Sequence, residues 1–198
     1  VEGRYIRQTG NTNEFGVVRL ELSPGERASG FCFENVMKPG EIPAAFLPSI
    51  EQGCAESVES GMLGGFPVAD ITVKLLGGEF HEEDSSERSF KIAAAMAMGE
   101  GLRTAAPVLL EPVMRVEVVT PDEFRGAVQG DLNSRRGQIT GIEIRGTAQV
   151  VSAEVPLSEM FGYVSAVRSM TQGRASYTMQ FSHYDQAPEA VADGIVAR

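Results

Sequence analysis

The chain contains no Trp, only two Cys and only two His in 198 residues, and its last Lys is Lys91. Cys32 and Cys54 are too few for a disulfide scaffold and are not spaced as a metal knuckle. Both lie in apolar stretches, so they read as small core residues of a protein in a reducing compartment. Two histidines limit the acid–base chemistry available. His81, Asp84 and Ser85 are neighbours in sequence, but a catalytic triad converges from separate elements, so a triad is not expected here. His183 reads as a structural side chain near a strand end. A Gly-x4-Gly-Lys-Ser/Thr loop, a Gly-x-Gly-x-x-Gly turn, His-Glu-x-x-His and Gly-x-Ser-x-Gly are all absent, which leaves nucleotide binding, metalloprotease and serine-hydrolase chemistry without a motif. No apolar run approaches the roughly 18 residues of a membrane span, and no basic-then-apolar leader opens the chain. A soluble, non-secreted, cytoplasmic protein is the expectation.

What is present is a globular composition, 42% hydrophobic and 22% charged, enough for one large domain or two small ones. Acidic residues outnumber basic ones 27 to 17, for a net charge of -10, which argues against an independent nucleic-acid binder and by itself fits an acidic protein-interaction module. The first residue is Val and a strand pattern begins at once, so a piece of a longer polypeptide is expected, with any chemistry upstream.

Residues 3–8 read as a strand, a polar stretch covers 10–15, and Val18, Leu20 and Leu22 then alternate with charged residues as in a half-buried strand. An extended piece over 30–36 leads to Pro48, suited to the first position of a helix. Ile50, Cys54 and Val58 recur at i+4, and Gly61 closes that helix. Ala69, Ile71, Val73 and Leu75 alternate as a strand, followed by a loop over 77–83. Asp84 with Glu87 three residues on has capping-box spacing, so the next helix should start there. Its body, 90–98, is apolar on nearly every side and small in volume, which marks burial. After Pro107 a weak repeat appears. Val116-Glu117-Val118 before Pro121-Asp122-Glu123-Phe124 resembles Ala153-Glu154-Val155 before Ser158-Glu159-Met160-Phe161. Each half reads strand, helix, strand, with Gly137 and Gly173 placed as helix stops. Two such units make a split βαβ sandwich. The second half carries Arg125, Arg135, Arg136, Arg168 and Arg174 on or beside its helices. That face is either a solvated surface, which charge alone favours, or a local RNA contact.

Arg4-Tyr5-Ile6-Arg7-Gln8-Thr9-Gly10, Gly65-Phe66-Pro67-Val68-Ala69-Asp70, His81-Glu82 through Asp84-Ser85-Ser86-Glu87, Glu111-Pro112-Val113-Met114-Arg115-Val116-Glu117-Val118, Gly130-Asp131-Leu132-Asn133-Ser134-Arg135-Arg136-Gly137 and Met160-Phe161-Gly162-Tyr163 with Arg168-Ser169-Met170-Thr171-Gln172-Gly173-Arg174 occur in one order along the chain. Together they resemble the C-terminal part of bacterial elongation factor G. The resemblance implies an α+β protein of two domains. Residues 1–108 would form domain IV, an α/β unit with a left-handed βαβ crossover resembling ribosomal proteins, and 109–198 a ferredoxin-like domain V. It implies a ribosome-contacting fragment, taken as monomeric, of a translational GTPase that promotes tRNA–mRNA translocation. The GTPase domain, with its GTP and Mg, would lie upstream, leaving this fragment no cofactor, no metal, no catalytic residue and no membrane partner. By position, the tip facing tRNA, mRNA and the small-subunit decoding centre would consist of Asn11, Thr12, Asn13, Glu14 and Phe15 together with Gly78, Glu79, Phe80, His81 and Glu82. Domain V would meet large-subunit factor-binding RNA and stalk-base proteins through Arg135, Arg136, Arg168, Gln172 and Arg174. The first tip loop departs from the family pattern, Gln-Thr-Gly-Gly-Arg-Gly-Gln-Tyr-Gly-His-Val. Here it reads Gln8-Thr9-Gly10-Asn11-Thr12-Asn13-Glu14-Phe15-Gly16-Val17-Val18, without the Arg, two tip Gly and the His. Glu14 and Glu83 add negative charge where RNA would approach. A divergent paralogue acting in ribosome recycling or ribosomal protection is therefore the alternative.

Overall fold

A computed structural model describes residues 1–9 and 12–196. The chain divides into two compact units, the first of Val1–Pro107 with the C-terminal end from Asp193 on, the second of Val108–Ala192.

The first unit contains β1 (Glu2–Thr9), β2 (Thr12–Pro24), β3 (Phe31–Asn35) and β4 (Ile71–Glu79) in the sheet order β1-β2-β4-β3. β1 and β4 each pair antiparallel with β2, while β3 lies parallel to β4. A parallel neighbour requires a crossover. Here it is carried by α1 (Leu47–Ser60), with Pro48 in its first turn. Gly61 ends α1 at φ 61°, the left-handed region. Between the Arg19–Gly77 and Leu20–Leu75 pairs the extra residue is Leu76, a bulge in β4, and the successive β2 residues Val17 and Val18 are both buried.

α2 (Glu87–Thr104) lies across this sheet, and its small volume has a geometric cause. Ser89, Ala93 and Ala97 form a row at i+4 spacing. A Cβ on Gly3 would collide with the Ala93 carbonyl, and one on Gly16 would stand 2.9 Å from the Ser89 carbonyl oxygen. Strand glycines facing small helical residues thus bring backbone against backbone. The helix begins at Ser86, not at Asp84. The Ser86 hydroxyl accepts from the Ser89 N–H at 3.1 Å, and the Ser89 hydroxyl accepts from the Ser86 N–H at 2.9 Å. Asp84 is engaged elsewhere, since its carbonyl accepts from the Phe15 N–H. Cys32 is exposed, contrary to the core position expected of it. It sits on edge strand β3 opposite Thr72, on the other face from Phe31 and Phe33, which pack on the core. Cys54 is buried, and its thiol is pushed up to about 12, by desolvation first and by Glu51 second.

The second unit runs β5 (Leu110–Pro121), α3 (Arg125–Ser134), β6 (Gln138–Arg145), β7 (Ala148–Pro156), α4 (Tyr163–Met170) and β8 (Ser176–Gln186), and the chain ends with α5 (Glu189–Val196). The sheet order is β6-β7-β5-β8 with every pair antiparallel, which is the split βαβ arrangement. The internal repeat is physical. β5 and β7 each end in Pro, at 121 and 156, and each passes through a 3-10 turn, Asp122–Phe124 or Leu157–Met160, before its helix. Val116, Val118, Val151 and Ala153 of the sheet pack against Val128, Leu132, Tyr163 and Val167 of the helices.

Both helices of this unit end in the same motif, with one difference from the expectation that Gly does the stopping. After α3 the left-handed residue is Arg136, at φ 58°. The Gly137 N–H reaches the Leu132 carbonyl at 2.9 Å, and the Arg136 N–H reaches that of Asn133 at 3.2 Å. Gly137 is needed for the approach itself, because a Cβ there would lie 2.5 Å from the Leu132 oxygen. After α4, Gln172 and Gly173 are both left-handed, at φ 53° and 75°.

Candidate functional site

At one end of the first unit, the β1–β2 hairpin and the β4–α2 connection are tied through Phe15. Its N–H donates to the Asp84 carbonyl at 2.8 Å. Its carbonyl accepts from the Ser85 hydroxyl at 2.9 Å and from the Ser89 hydroxyl at 2.8 Å. Ser85 also closes the His81 turn, accepting from the His81 N–H while its own N–H donates to the His81 carbonyl, both at 3.0 Å. These backbone and hydroxyl groups would otherwise need water, so the tie specifies the tip.

On that frame the His81 side chain is 55% exposed. Its Nδ1 lies 3.3 Å from Asp84 Oδ2, and its ring centroid is 6.4 Å from that of Phe15. Phe80 is exposed, its ring 5.9 Å from that of Phe46, which in turn packs 5.0 Å from Phe90. Glu79 is exposed and 4.0 Å from Arg4. Gly78 has a structural reason, since a Cβ there would collide with the Val17 carbonyl. Glu82 is exposed, as is Asn13, whose backbone pairs with Gln8. The backbone of Thr12 pairs with Thr9. Asn11 lies outside the described residues. Glu14 is turned inward, its Oε2 accepting from the Tyr5 hydroxyl at 2.9 Å.

In the second unit the five arginines fall into two classes. Arg136 donates from Nη1 and Nη2 to the two Glu111 carboxylate oxygens at 2.7 and 2.9 Å, and from Nε to Glu159 at 2.9 Å. These bonds, Glu111 first, raise the basicity of its guanidinium further. Arg135 donates to Asp131 at 2.8 Å and to the Glu159 carbonyl at 2.6 Å, and lies over the Tyr163 ring at 5.1 Å. Arg174 pairs with Glu123 at 2.7 Å and covers Phe124, and Arg125 lies 3.6 Å from Asp122. Arg168 is exposed on α4, and among the described residues no carboxylate stands within ion-pair distance of it. Gln172 is exposed at the end of that helix. Arg135 and Arg136, expected to meet large-subunit RNA, turn donors to carboxylates and a carbonyl of their own unit. His183 Nδ1 lies 3.0 Å from the Ser182 hydroxyl, near the end of β8.

Asp70 anchors the other end of the first unit. Its carboxylate accepts from the Gly30 and Ala28 N–H groups, each at 3.0 Å. Those bonds, Gly30 first, hold it below the usual carboxylate range. The residues that sequence reading missed at the tip are Tyr5, Ser89 and Arg88. The signal for Ser89 was its three-residue spacing from Ser86.

Among the described residues no helix is long and apolar enough to cross a membrane, and no group of three or more His, Cys, Asp and Glu is placed to hold a metal ion. The family model of elongation factor G domain IV matches residues 1–106, and that of the elongation factor G C-terminus matches 108–195. A protein from Thermus thermophilus, known by crystal structure, is similar at a TM-score of 0.87 and 41% identity, over 99% of this chain and 29% of that one. The present chain therefore spans less than a third of the length of that solved protein. It belongs to the elongation factor G family and comprises the family's domain IV followed by its C-terminal domain.

Proposed function

We propose that this chain is the ribosome-contacting portion of a cytoplasmic translational GTPase that moves tRNA and mRNA through the ribosome. The observation that carries the reading is the tip. An exposed imidazole stands on a loop whose backbone is cross-linked to the neighbouring hairpin through Phe15, Ser85 and Ser89. A contact of that kind is preorganised, so little ordering remains when the tip meets its partner. We assign the tip to tRNA in the decoding centre. In domain V we assign contact with large-subunit RNA to Arg168 and Gln172, and a holding role to Arg135 and Arg136. The residues present do not fit GTP, because no Gly-rich turn precedes a helix with a Lys. Lys74 is paired with Glu21 and Glu34, and Lys91 with Glu56. GTP with its Mg belongs to the remainder of the longer protein.

A contact made only while tRNA moves accelerates movement without tightening binding. Tip and body therefore divide the work: domain V holds the factor on the large subunit, and His81 acts on the moving tRNA. A second reading, ribosome recycling or protection, is favoured by the first tip loop, which lacks the Arg and two Gly of the family pattern. The test is a reconstituted assay of the longer protein with pre-translocation ribosomes. GTP-dependent movement of mRNA by one codon supports the proposal. Subunit splitting, or release of a ribosome-bound antibiotic, without movement supports the second reading.

A further inference from the structure

An acidic side chain at an RNA-facing tip is a liability, and position 14 carries Glu where the family pattern has Gln. The structure turns it inward. The Glu14 side chain is 19% exposed, with Oε1 3.9 Å from Arg88 of α2 and Oε2 accepting from the Tyr5 hydroxyl at 2.9 Å. Tyr5 pairs with Gly16 across the hairpin, and its ring packs against the core of the first unit. Alternate strand residues share a face, so Glu14 and Gly16 both look toward α2, while Phe15 between them looks the other way. Phe15 is the residue gripped by Asp84, Ser85 and Ser89, and its ring lies against His81.

We propose that Tyr5 and Arg88 are positioning residues of the tip: they hold the Glu14 carboxylate against the body of the unit and, through the adjoining Phe15, fix where His81 stands. This rests on the assignment of the tip to tRNA. Two things follow from the arrangement. The negative charge of position 14 is matched internally, so beside it the hairpin presents the neutral amide of Asn13 to its partner. The strand carrying Phe15 is also held at two adjoining points, by the Glu14 bracket to Tyr5 and Arg88 and by the serine hydroxyls at the Phe15 carbonyl. Neither Tyr5 nor Arg88 needs to touch RNA for its loss to be felt at His81.

Two measurements test this. In the present chain, amide exchange followed by NMR reads the tie directly. Tyr5→Phe, which keeps the ring and removes the hydroxyl, should speed exchange of the Phe15 N–H by about tenfold, the worth of one hydrogen bond to a charged group. Lys91→Met, which breaks the pair with Glu56 elsewhere on α2, should leave that amide unchanged. Unaltered Phe15 exchange in Tyr5→Phe overturns the proposal. In the longer protein, Tyr5→Phe should slow single-round translocation by about fivefold or more, and adding it to His81→Ala should bring less than about a further twofold loss, because both act through one ring. Fully additive losses overturn the proposal, since a merely destabilised domain would behave that way. If the unmutated factor moves no tRNA, the assignment of the tip to translocation fails, and the exchange experiment alone decides the positioning roles.

Discussion

Arg136→Ala separates a structural arginine from an RNA-contacting one. The side chain is 29% exposed and makes a forked pair with Glu111, itself 12% exposed, plus a third bond to Glu159. Truncation leaves Glu111 largely out of water without its partner. Breaking a fully buried pair costs about 3–5 kcal/mol, and partial exposure reduces this to about 2–3 kcal/mol here. In a domain of fewer than about 100 residues each kcal/mol moves the midpoint by about 4–8 °C, so the second unit should melt about 10–20 °C lower. The backbone adds a check. Arg136 sits at φ 58°, where Ala is strained and Gly is not, so Arg136→Gly should be less destabilising than Arg136→Ala by about 1 kcal/mol. The assay is calorimetric unfolding of the present chain, with the two units resolved as separate transitions. A melting temperature unchanged within about 2 °C, together with a flattened salt dependence of ribosome binding in the longer protein, would contradict the structural role and make Arg136 a phosphate contact.

Gly3→Ala should destabilise the first unit by about 1–3 kcal/mol, since the new methyl meets the Ala93 backbone and α2 must lift from the sheet; chemical denaturation of the chain measures it. Asp70→Asn should lower stability at neutral pH. The native carboxyl is held below its unfolded value, so its contribution is complete above the unfolded value and is lost as pH falls through the native one; the gap between variant and parent should close in acid when melting is followed against pH. The chain alone should show no saturable micromolar GTP binding by calorimetry, because it offers no anion cradle with a Lys.

The elements themselves were legible. Alternation marked β2 and β4, the i+4 apolar row marked α1, and the repeat around Pro121 and Pro156 gave the two halves of the second unit. What local pattern could not decide was competition between neighbours. Two capping boxes overlap at residues 84–89, and the serine pair prevails because the Asp84 carbonyl is committed to Phe15, far away in the chain. Likewise a run of Arg at the end of α3 looks like a basic face until Glu111 and Glu159, 25 and 23 residues distant, are folded against it. Cys32 failed for a related reason: an apolar neighbourhood in sequence says nothing of which face an edge strand turns outward. His81 was singled out by its position in the elongation factor G pattern, since composition alone reads it as an ordinary exposed loop histidine. The inward turn of Glu14 was not, since it depends on the hairpin register that sets Tyr5 beside it.

The most direct test of the account is His81→Ala in the longer protein, with single-round translocation, ribosome affinity and ribosome-stimulated GTP hydrolysis measured side by side. On the proposed role of the tip, translocation should slow by about tenfold or more, at least about 1.4 kcal/mol, while affinity and hydrolysis stay within about twofold. A translocation rate untouched by the substitution, or a loss of affinity equal to the loss of rate, would contradict it.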